Sequence, residues 1–315
     1  MLSRQLGIRY PIVQAGMVWT AGWNLAVASA RAGALGLIGA GSMKPELLRE
    51  HIRKARATEV SEQIGVNLAL TRGDVESLVQ VVIEEGVNIV FSSAGNPKVY
   101  TARLKEAGCF VAHVIASVKH ARKAEDAGCD AVVAEGFEAG GHNGVDEITT
   151  LCLVPQVVDA VNIPVIAAGG IANGRQVLAA LSLGAQAVQI GTRFAATLES
   201  SSHPLYKQAV IESEDNATVL VLKKIAPVRL KKNRFALEAF EAQQHGATKE
   251  EELELLGRKR EMQGIFEGNL EEGELEMGQS SGLVKEILTC EEVVRNLVKE
   301  YEAALDRINL ISRNG

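Results

Sequence analysis

Aromatic side chains are scarce, at 4% of the 315 residues. A surface that stacks unpaired bases needs more of them. Positive charge is not in excess either: 33 lysines and arginines stand against 39 aspartates and glutamates, giving a net charge of −6. This balance leaves no electrostatic footprint for nucleic acid or for an anionic membrane surface. The pairs Lys223-Lys224 and Lys231-Lys232 are too few to track a phosphate backbone. No apolar run approaches the roughly 20 residues of a membrane helix. Pro11-Ile12-Val13, after a polar and basic start, is too short for a secretory core. The four cysteines (Cys109, Cys129, Cys152 and Cys290) show neither CxxC nor zinc spacing. They read as small buried hydrophobes of a reducing compartment. The expectation is a soluble, cytoplasmic protein.

What is present is a large apolar fraction, 47%, enough for a sizeable core. Eight short, nearly continuous apolar runs punctuate the first ~195 residues, as parallel strands covered on both faces would. They begin at Pro11, Leu35, Ile64, Val87, Phe110, Ala131, Pro164 and Ala187. Amphipathic stretches lie between them: Ala21 to Ala32, Lys44 to Ala55, Asp74 to Glu85, Lys98 to Ala107, Ser117 to Ala127 and Arg175 to Leu183. Gly33, Gly86, Gly108, Gly128 and Gly184 sit where helix C-caps belong. Eight strand-helix units in series predict an α/β fold, a (β/α)8 TIM barrel, with its chemistry on the loops that leave the strands.

The alternation stops near Glu199. Ala236 to Arg260 reads as a charged helix and about Leu283 to Ile308 as the helix that closes the barrel. The expected division is a barrel of residues 1–198 and 282–315, with a smaller C-terminal cap domain, 199–281, inserted into it.

The strand-end loops carry the informative residues. Gly16 and Met17 follow the first run; Met17 is equally a flat-ring contact or a core methionine. Asn67 ends the third run, as an amide donor and acceptor or as a turn residue. Ser93 and Asn96 lie in a small polar loop after the fourth. The sixth run opens into Ala134-Glu135-Gly136-Phe137-Glu138-Ala139-Gly140-Gly141-His142-Asn143-Gly144, where an imidazole stands beside a glycine pair. Alone, that loop reads as a surface turn with a solvated histidine. Gly169 and Gly170 follow the seventh run, and Gly191 and Thr192 follow the eighth, preceded by Gln189. In barrels these two loops frequently grip phosphate through backbone N–H groups and a helix N-terminus. His113 lies within a strand and reads as a satisfied core histidine; His51, His120 and His245 read as solvated.

Three chemistries are set aside. No run contains a lysine for a Schiff base. No HxH or HExxH pattern exists, so the expected metal content is none. The histidine loop holds no cysteine for thiolate catalysis. A cofactor with its own chemistry, such as flavin mononucleotide (FMN), fits what is left.

The motifs QAGM (14–17), GVN (65–67), SAGNP (93–97), AEGFEAGGHNG (134–144), AAGGIANGR (167–175) and QIGTRF (189–194) resemble those of the nitronate monooxygenase / FMN-dependent enoyl-acyl carrier protein reductase superfamily. The segment EGNLEEGELEMGQSSGLV (267–284) is similar to the reductase branch. The resemblance spans nearly the whole chain. It implies a barrel holding FMN against Gly16, Met17, Asn67, Glu135, Gly140, Gly141, Gly169, Gly170, Gln189, Gly191 and Thr192. His142 would be the catalytic residue, and Ser93, Asn96 and Asn143 would meet the substrate. It further implies NAD(P)H as co-substrate, with hydride passed through flavin N5 to an enoyl thioester. A monovalent cation near the cap would come with the reductases, and acyl carrier protein would be a partner. That partner would dock on a patch of Lys223, Lys224, Arg229, Lys231, Lys232 and Arg234, which reads equally as a solvated face. The alternative activity is nitronate oxidation by O2 without NAD(P)H. A homodimer is carried forward as the oligomeric state.

Overall fold

Each of the eight apolar runs becomes a strand in the computed structural model, which describes residues 2–313. The strands in chain order are β1 (Ile12–Gln14), β2 (Leu35–Gly39), β3 (Ile64–Ala69), β4 (Ile89–Ser93), β5 (Phe110–Ile115), β6 (Ala131–Glu135), β7 (Gly141–His142), β8 (Val165–Ala168), β9 (Ala187–Ile190), β10 (Thr218–Val221) and β11 (Val228–Lys231). All but β7, β10 and β11 close into a barrel of order β1-β2-β3-β4-β5-β6-β8-β9, every pair parallel, with β9 returning to β1.

Side chains alternate across the barrel wall because the strand period is two. Val13, Leu35, Leu37, Phe91, Val133 and Ile166 point inward and form one core. Ile38, Val90, Val132, Ala167 and Val188 point outward and pack against the helical ring. Leu2, Leu6 and Ile8 join the inner core from the amino-terminal end, where the Leu2 N–H donates to Gln186 Oε1 (3.2 Å) just ahead of β9. Gln14, fully buried, ties β1 to β2 with its amide: Oε1 accepts from the Leu37 N–H and Nε2 donates to the Leu37 carbonyl, both at 3.2 Å.

The predicted cap glycines all have left-handed φ, between +62° at Gly86 and +97° at Gly184. Helix Thr150–Ala160 escaped the sequence pattern because Pro155 interrupts it. The closing helix runs Cys290–Arg313 and packs on helix Gly174–Ser182 so closely that a Cβ on Gly174 would lie 2.1 Å from the Tyr301 nitrogen.

The segment after Thr197 departs from expectation in two ways. It contains strands: β10 and β11 pair antiparallel, and β11 pairs on its other edge with β7. The expected charged helix Ala236 to Arg260 is two helices, Arg234–Gln244 and Lys249–Leu256. Gly246 at φ +82° breaks them apart, and Thr248 restarts the second with a reciprocal cap to Glu251. Helix Pro204–Ile211 and a π-helical turn, Met262–Phe266, complete the insertion. Tyr206, Val210, Ile265, Leu275 and Met277 form its core beside the barrel mouth.

Two smaller expectations also fail. Cys152 is exposed, whereas Cys109, Cys129 and Cys290 are buried. His51 is half-buried, with Nδ1 accepting the Trp23 N–H (3.1 Å), and its pKa is lowered by that burial. His120 and His245 are exposed as expected.

Candidate active site

The inward row of each strand ends at the carboxyl face, and there its character changes. Counting by two from the core residues Phe91, Val133 and Ala187 leads to Ser93, Glu135 and Gln189. Asn67 takes the same place on β3. These four polar side chains form the floor of a cavity of about 990 Å³. Every residue expected to hold the cofactor lines this one cavity, as do His142, Ser93, Asn96 and Asn143. The inserted segment supplies the facing wall through Tyr206 and Glu261, which the sequence did not point to, and through Glu276, Gly278 and Ser280 of the 267–284 segment, to which it assigned no site role.

The loop carrying His142 is held at several points. Glu138 accepts from the Thr150 N–H (2.9 Å) and Thr150 Oγ1 (3.0 Å), while its carbonyl accepts from the Gln279 N–H (2.9 Å). The loop then becomes strand β7, with Gly141 opposite Arg229 and His142 opposite Val228. Arg229 is buried; its Nε donates to the Phe137 carbonyl (2.9 Å) and its guanidinium lies 5.0 Å from the Phe137 ring centre. The imidazole is therefore mounted on a sheet edge, and its side chain remains 64% exposed, available to a ligand. Asn143 turns its amide back on the loop, donating to the Ala139 and Gly141 carbonyls (2.9 Å each), and its buried Oδ1 has no partner.

Two glycines explain why the loop has this composition. A Cβ on Gly140 would lie 2.5 Å from the Met277 carbonyl carbon and 2.6 Å from the Gly278 nitrogen. Gly141 has φ +77°, and a Cβ there would meet Glu276 Oε2 at 2.9 Å. Backbone lies against backbone at Gly140, so Gly140→Ala is expected to push β7 away from residues 276–278. The cost is about 1–3 kcal/mol of stability, by analogy with other overpacked sites, and ligand binding in the cavity weakens with it. Chemical denaturation checks the first effect and a ligand titration the second; a variant equal to the parent in both would show that the contact yields freely.

The glycine loops after β8 and β9 are partly occupied by the protein itself. Gln176 Oε1 accepts from Ala172 N–H (2.9 Å) and Asn173 N–H (3.2 Å), and Glu300 Oε2 accepts from Gly174 N–H (2.8 Å). The helix N-terminus credited with anion binding in the sequence reading is thus internally capped. Gly169 and Gly170, at φ +90° and +71°, reach the cavity ahead of it. Thr192 Oγ1 accepts from the Gly278 N–H (3.0 Å) and so pins the inserted segment to the barrel.

Asn96 lies exposed on the rim, where its Oδ1 accepts from the Lys98 N–H (3.1 Å). Ser93 Oγ is 3.5 Å from Asn67 Oδ1. His113 is buried against Ser92 Oγ (2.7 Å), with its pKa pushed down to about 4 by burial, so it is a satisfied core residue that also borders the cavity. Of the six basic residues proposed as a patch, Lys223 pairs with Glu147 and Arg234 with Glu272, Arg229 is buried, and Lys231 Nζ donates to the Ala209 carbonyl (3.0 Å). Lys224 and Lys232 are exposed.

Acidic groups gather at the cavity wall. His142, Glu261 and Glu276 bring side-chain donor atoms within 4.8 Å of one another, with His142 Nδ1 3.8 Å from Glu276 Oε1. Burial, reinforced by Glu261, Glu274 and Glu135, holds the Glu276 carboxyl group well above its usual range. Burial likewise raises Glu135 to about 7, and burial together with Glu261 raises Glu274 to about 8. Carboxyl groups raised in this way, Glu276, Glu135 and Glu274, suit proton handling. The Tyr206 hydroxyl donates to the Glu276 carbonyl, which fixes the backbone of that residue.

A barrel with the His142 imidazole, a carboxyl cluster and a glycine-lined cavity under an inserted wall can be set beside known proteins. FabK from Thermotoga maritima superposes with a TM-score of 0.92 at 42% identity, covering 98% of this chain and 97% of that one. A Mycobacterium tuberculosis protein named (3aS,4S,5R,7aS)-5-hydroxy-7a-methyl-1-oxo-octahydro-1H-indene-4-carboxyl-CoA dehydrogenase is 32% identical over 94% of both chains. A Staphylococcus aureus protein named "probable nitronate monooxygenase" is 34% identical over 70% of this chain and 74% of its own. The family described as nitronate monooxygenase matches residues 1–300, nearly the whole of the barrel and its insertion. By that match, and by the relatives that share its length, this chain is an oxidoreductase that belongs to the nitronate monooxygenase family.

Proposed function

We propose that the protein is an NAD(P)H-dependent, FMN-containing enoyl-acyl carrier protein reductase of fatty-acid synthesis. One observation carries this reading: the segment resembling the reductase branch, residues 267–284, builds the cavity wall that faces His142, through Glu276, Gly278 and Ser280. The 42% identity to FabK, an enoyl reductase, supports it over the full chain. The carboxyl-CoA dehydrogenase among the relatives points the same way, since its name also specifies an acyl thioester.

The residues present fit FMN. Gln189 Oε1 is buried on the cavity floor without a partner, an acceptor suited to the imide N–H of a flavin ring. Asn67 and Glu135 stand on the same floor, Met17 borders it, and Gly169, Gly170 and Gly191 leave room for backbone contact with a phosphate. FMN held there would supply the redox chemistry, the hydride exchange between NAD(P)H and the enoyl thioester. The chain's own part is positioning and proton handling. His142 hydrogen-bonds the thioester carbonyl, stabilising the enolate as charge develops there, and stands by to donate a proton. The inserted wall narrows the barrel mouth opposite His142.

The second reading, nitronate oxidation by O2, draws on the family name and on the Staphylococcus aureus relative. There His142 would orient or deprotonate the nitroalkane. An anaerobic experiment separates the two. Rapid bleaching of the yellow protein by NADH or NADPH, followed by reoxidation with a crotonyl thioester, is expected. Failure of both nucleotides to bleach it overturns the reductase reading, and bleaching by a nitronate alone supports the alternative. Kinetics with acyl carrier protein thioesters against the free thioester would test the proposed partner.

A further inference from the structure

One strand delivers both His142 and a carboxyl group to the same place. β11 pairs with β7 at Val228–His142 and, one residue beyond Arg229, bridges Leu230 to Glu276. Because β10 already occupies the other edge of β11 at Leu230, β7 and Glu276 share one edge, end to end. Gly141 has no side chain to separate them. We propose that Glu276 is the positioning residue of His142: its carboxyl group donates to Nδ1 and so presents Nε2–H to the substrate.

The observed separation, 3.8 Å between Nδ1 and Oε1, is too long for a hydrogen bond. A small rotation of the exposed imidazole closes it, and such contacts commonly tighten when a ligand enters. The Glu276 backbone cannot move to meet it, being held by the Leu230 bridge and the Tyr206 hydroxyl. The direction of donation follows from the surroundings. Glu261 just ahead of the π-turn, Glu274 on the same segment and Glu135 on β6 all face Glu276, and the Tyr206 hydroxyl from helix Pro204–Ile211 donates to its carbonyl. Three acidic neighbours favour a neutral carboxyl group, which donates; an ionised one would accept from Nδ1–H and impose the opposite tautomer. A neutral imidazole fixed as Nε2–H is a hydrogen-bond donor to an oxygen that gains negative charge.

This inference rests on the oxidoreductase reading for its kinetic consequence, but its structural half is tested without turnover. Nitrogen-15 NMR of the histidine-labelled protein, without cofactor, reads the tautomer directly, with His142→Gln used to assign the signal. Nε2–H with an Nδ1 that accepts a hydrogen bond is expected in the parent and in Glu276→Gln, whose amide N–H can also donate. Glu276→Ala is expected to give mixed tautomers. In turnover, Glu276→Gln should stay within about threefold of the parent at neutral pH and lose any pH dependence contributed by Glu276. Glu276→Ala should lose about 10- to 100-fold in kcat, as when a partner that orients a functional histidine is removed, with KM for NAD(P)H and flavin content unchanged. An Nδ1–H tautomer in the parent, an unchanged tautomer in Glu276→Ala, or Glu276→Gln as impaired as Glu276→Ala would each overturn the assignment. Absence of NAD(P)H-driven turnover in the parent would instead overturn the reductase reading alone, since the tautomer measurement still decides the role of Glu276.

Discussion

A His142→Ala variant is expected to keep its fold and its flavin and to lose on the order of 10²–10⁴ in kcat, the range associated with a positioned acid or base. At 1.36 kcal/mol per tenfold, that corresponds to roughly 3–5 kcal/mol of transition-state stabilisation. The fold should survive because β7 pairs with β11 through backbone atoms, and because the imidazole is mostly in the cavity rather than in a core. The two half-reactions should separate. Flavin bleaching by NAD(P)H needs no proton from His142 and should be within about twofold of the parent, whereas reoxidation by the enoyl thioester should carry the whole defect. Stopped-flow absorbance resolves them. A variant that reoxidises at the parental rate would remove His142 from the chemistry, and one that loses flavin would show that its role is in cofactor binding.

Stability of the cofactor-free protein is expected to fall as pH rises from about 5 to about 8.5. Glu135, Glu274 and Glu276 all have folded-state pKa values above the ordinary 4.5: about 7 for Glu135, about 8 for Glu274, and well above the ordinary value for Glu276. Between 4.5 and these values the unfolded chain has released protons that the folded chain retains. Stability is therefore fully present below about 4.5 and is lost as pH rises through the folded values. Glu274 alone accounts for roughly 5 kcal/mol at most, and Glu135 for about 3 kcal/mol at most, at 1.36 kcal/mol per pKa unit. Water in the cavity reduces the Glu135 share. Carboxylates held low by arginine, such as Glu59 beside Arg31 at about 2, act with the opposite sign but only below pH 4.5. Urea denaturation at pH 5.5 and 8.5 measures the difference. Glu274→Gln should flatten it and should be more stable than the parent at the higher pH; an unchanged slope would mean that Glu274 is relieved by a route other than its proton.

The barrel was legible because its strands are apolar on both faces, and because left-handed glycines end the helices. Both signals are local and survive without partners. The loop residues were legible for a related reason: polar side chains interrupt otherwise apolar strands at their mouth ends, and Asn67, Ser93, Glu135 and Gln189 occupy those positions. What local pattern hid was the insertion. β10 and β11 are four residues each, too short to stand out from a charged segment, and β7 has two residues that read as a glycine turn. A two-residue strand exists only because β11 offers it a free edge.

The acidic wall was hidden for the same reason. Glu274 and Glu276 alternate with Leu275 and Met277, the pattern of a half-buried strand whose acids face water. The fold buries that acidic face instead, with Glu276 at the cavity wall, and burial is what raises the carboxyl groups. The capping of the Gly174 N–H by Glu300, 126 residues away, was likewise invisible to any local pattern.

By itself, then, the amino-acid order determined the (β/α)8 barrel and the strand-end loops, the one that carries His142 among them, because each follows from periodicity and short-range backbone chemistry. The tertiary structure alone decided what surrounds that histidine. Its mounting on β11, the carboxyl partner at Glu276 and the wall that makes a cavity of the barrel mouth all depend on contacts between segments more than a hundred residues apart in some cases. Burial and charge at a site come from such contacts, and no local window of sequence contains them.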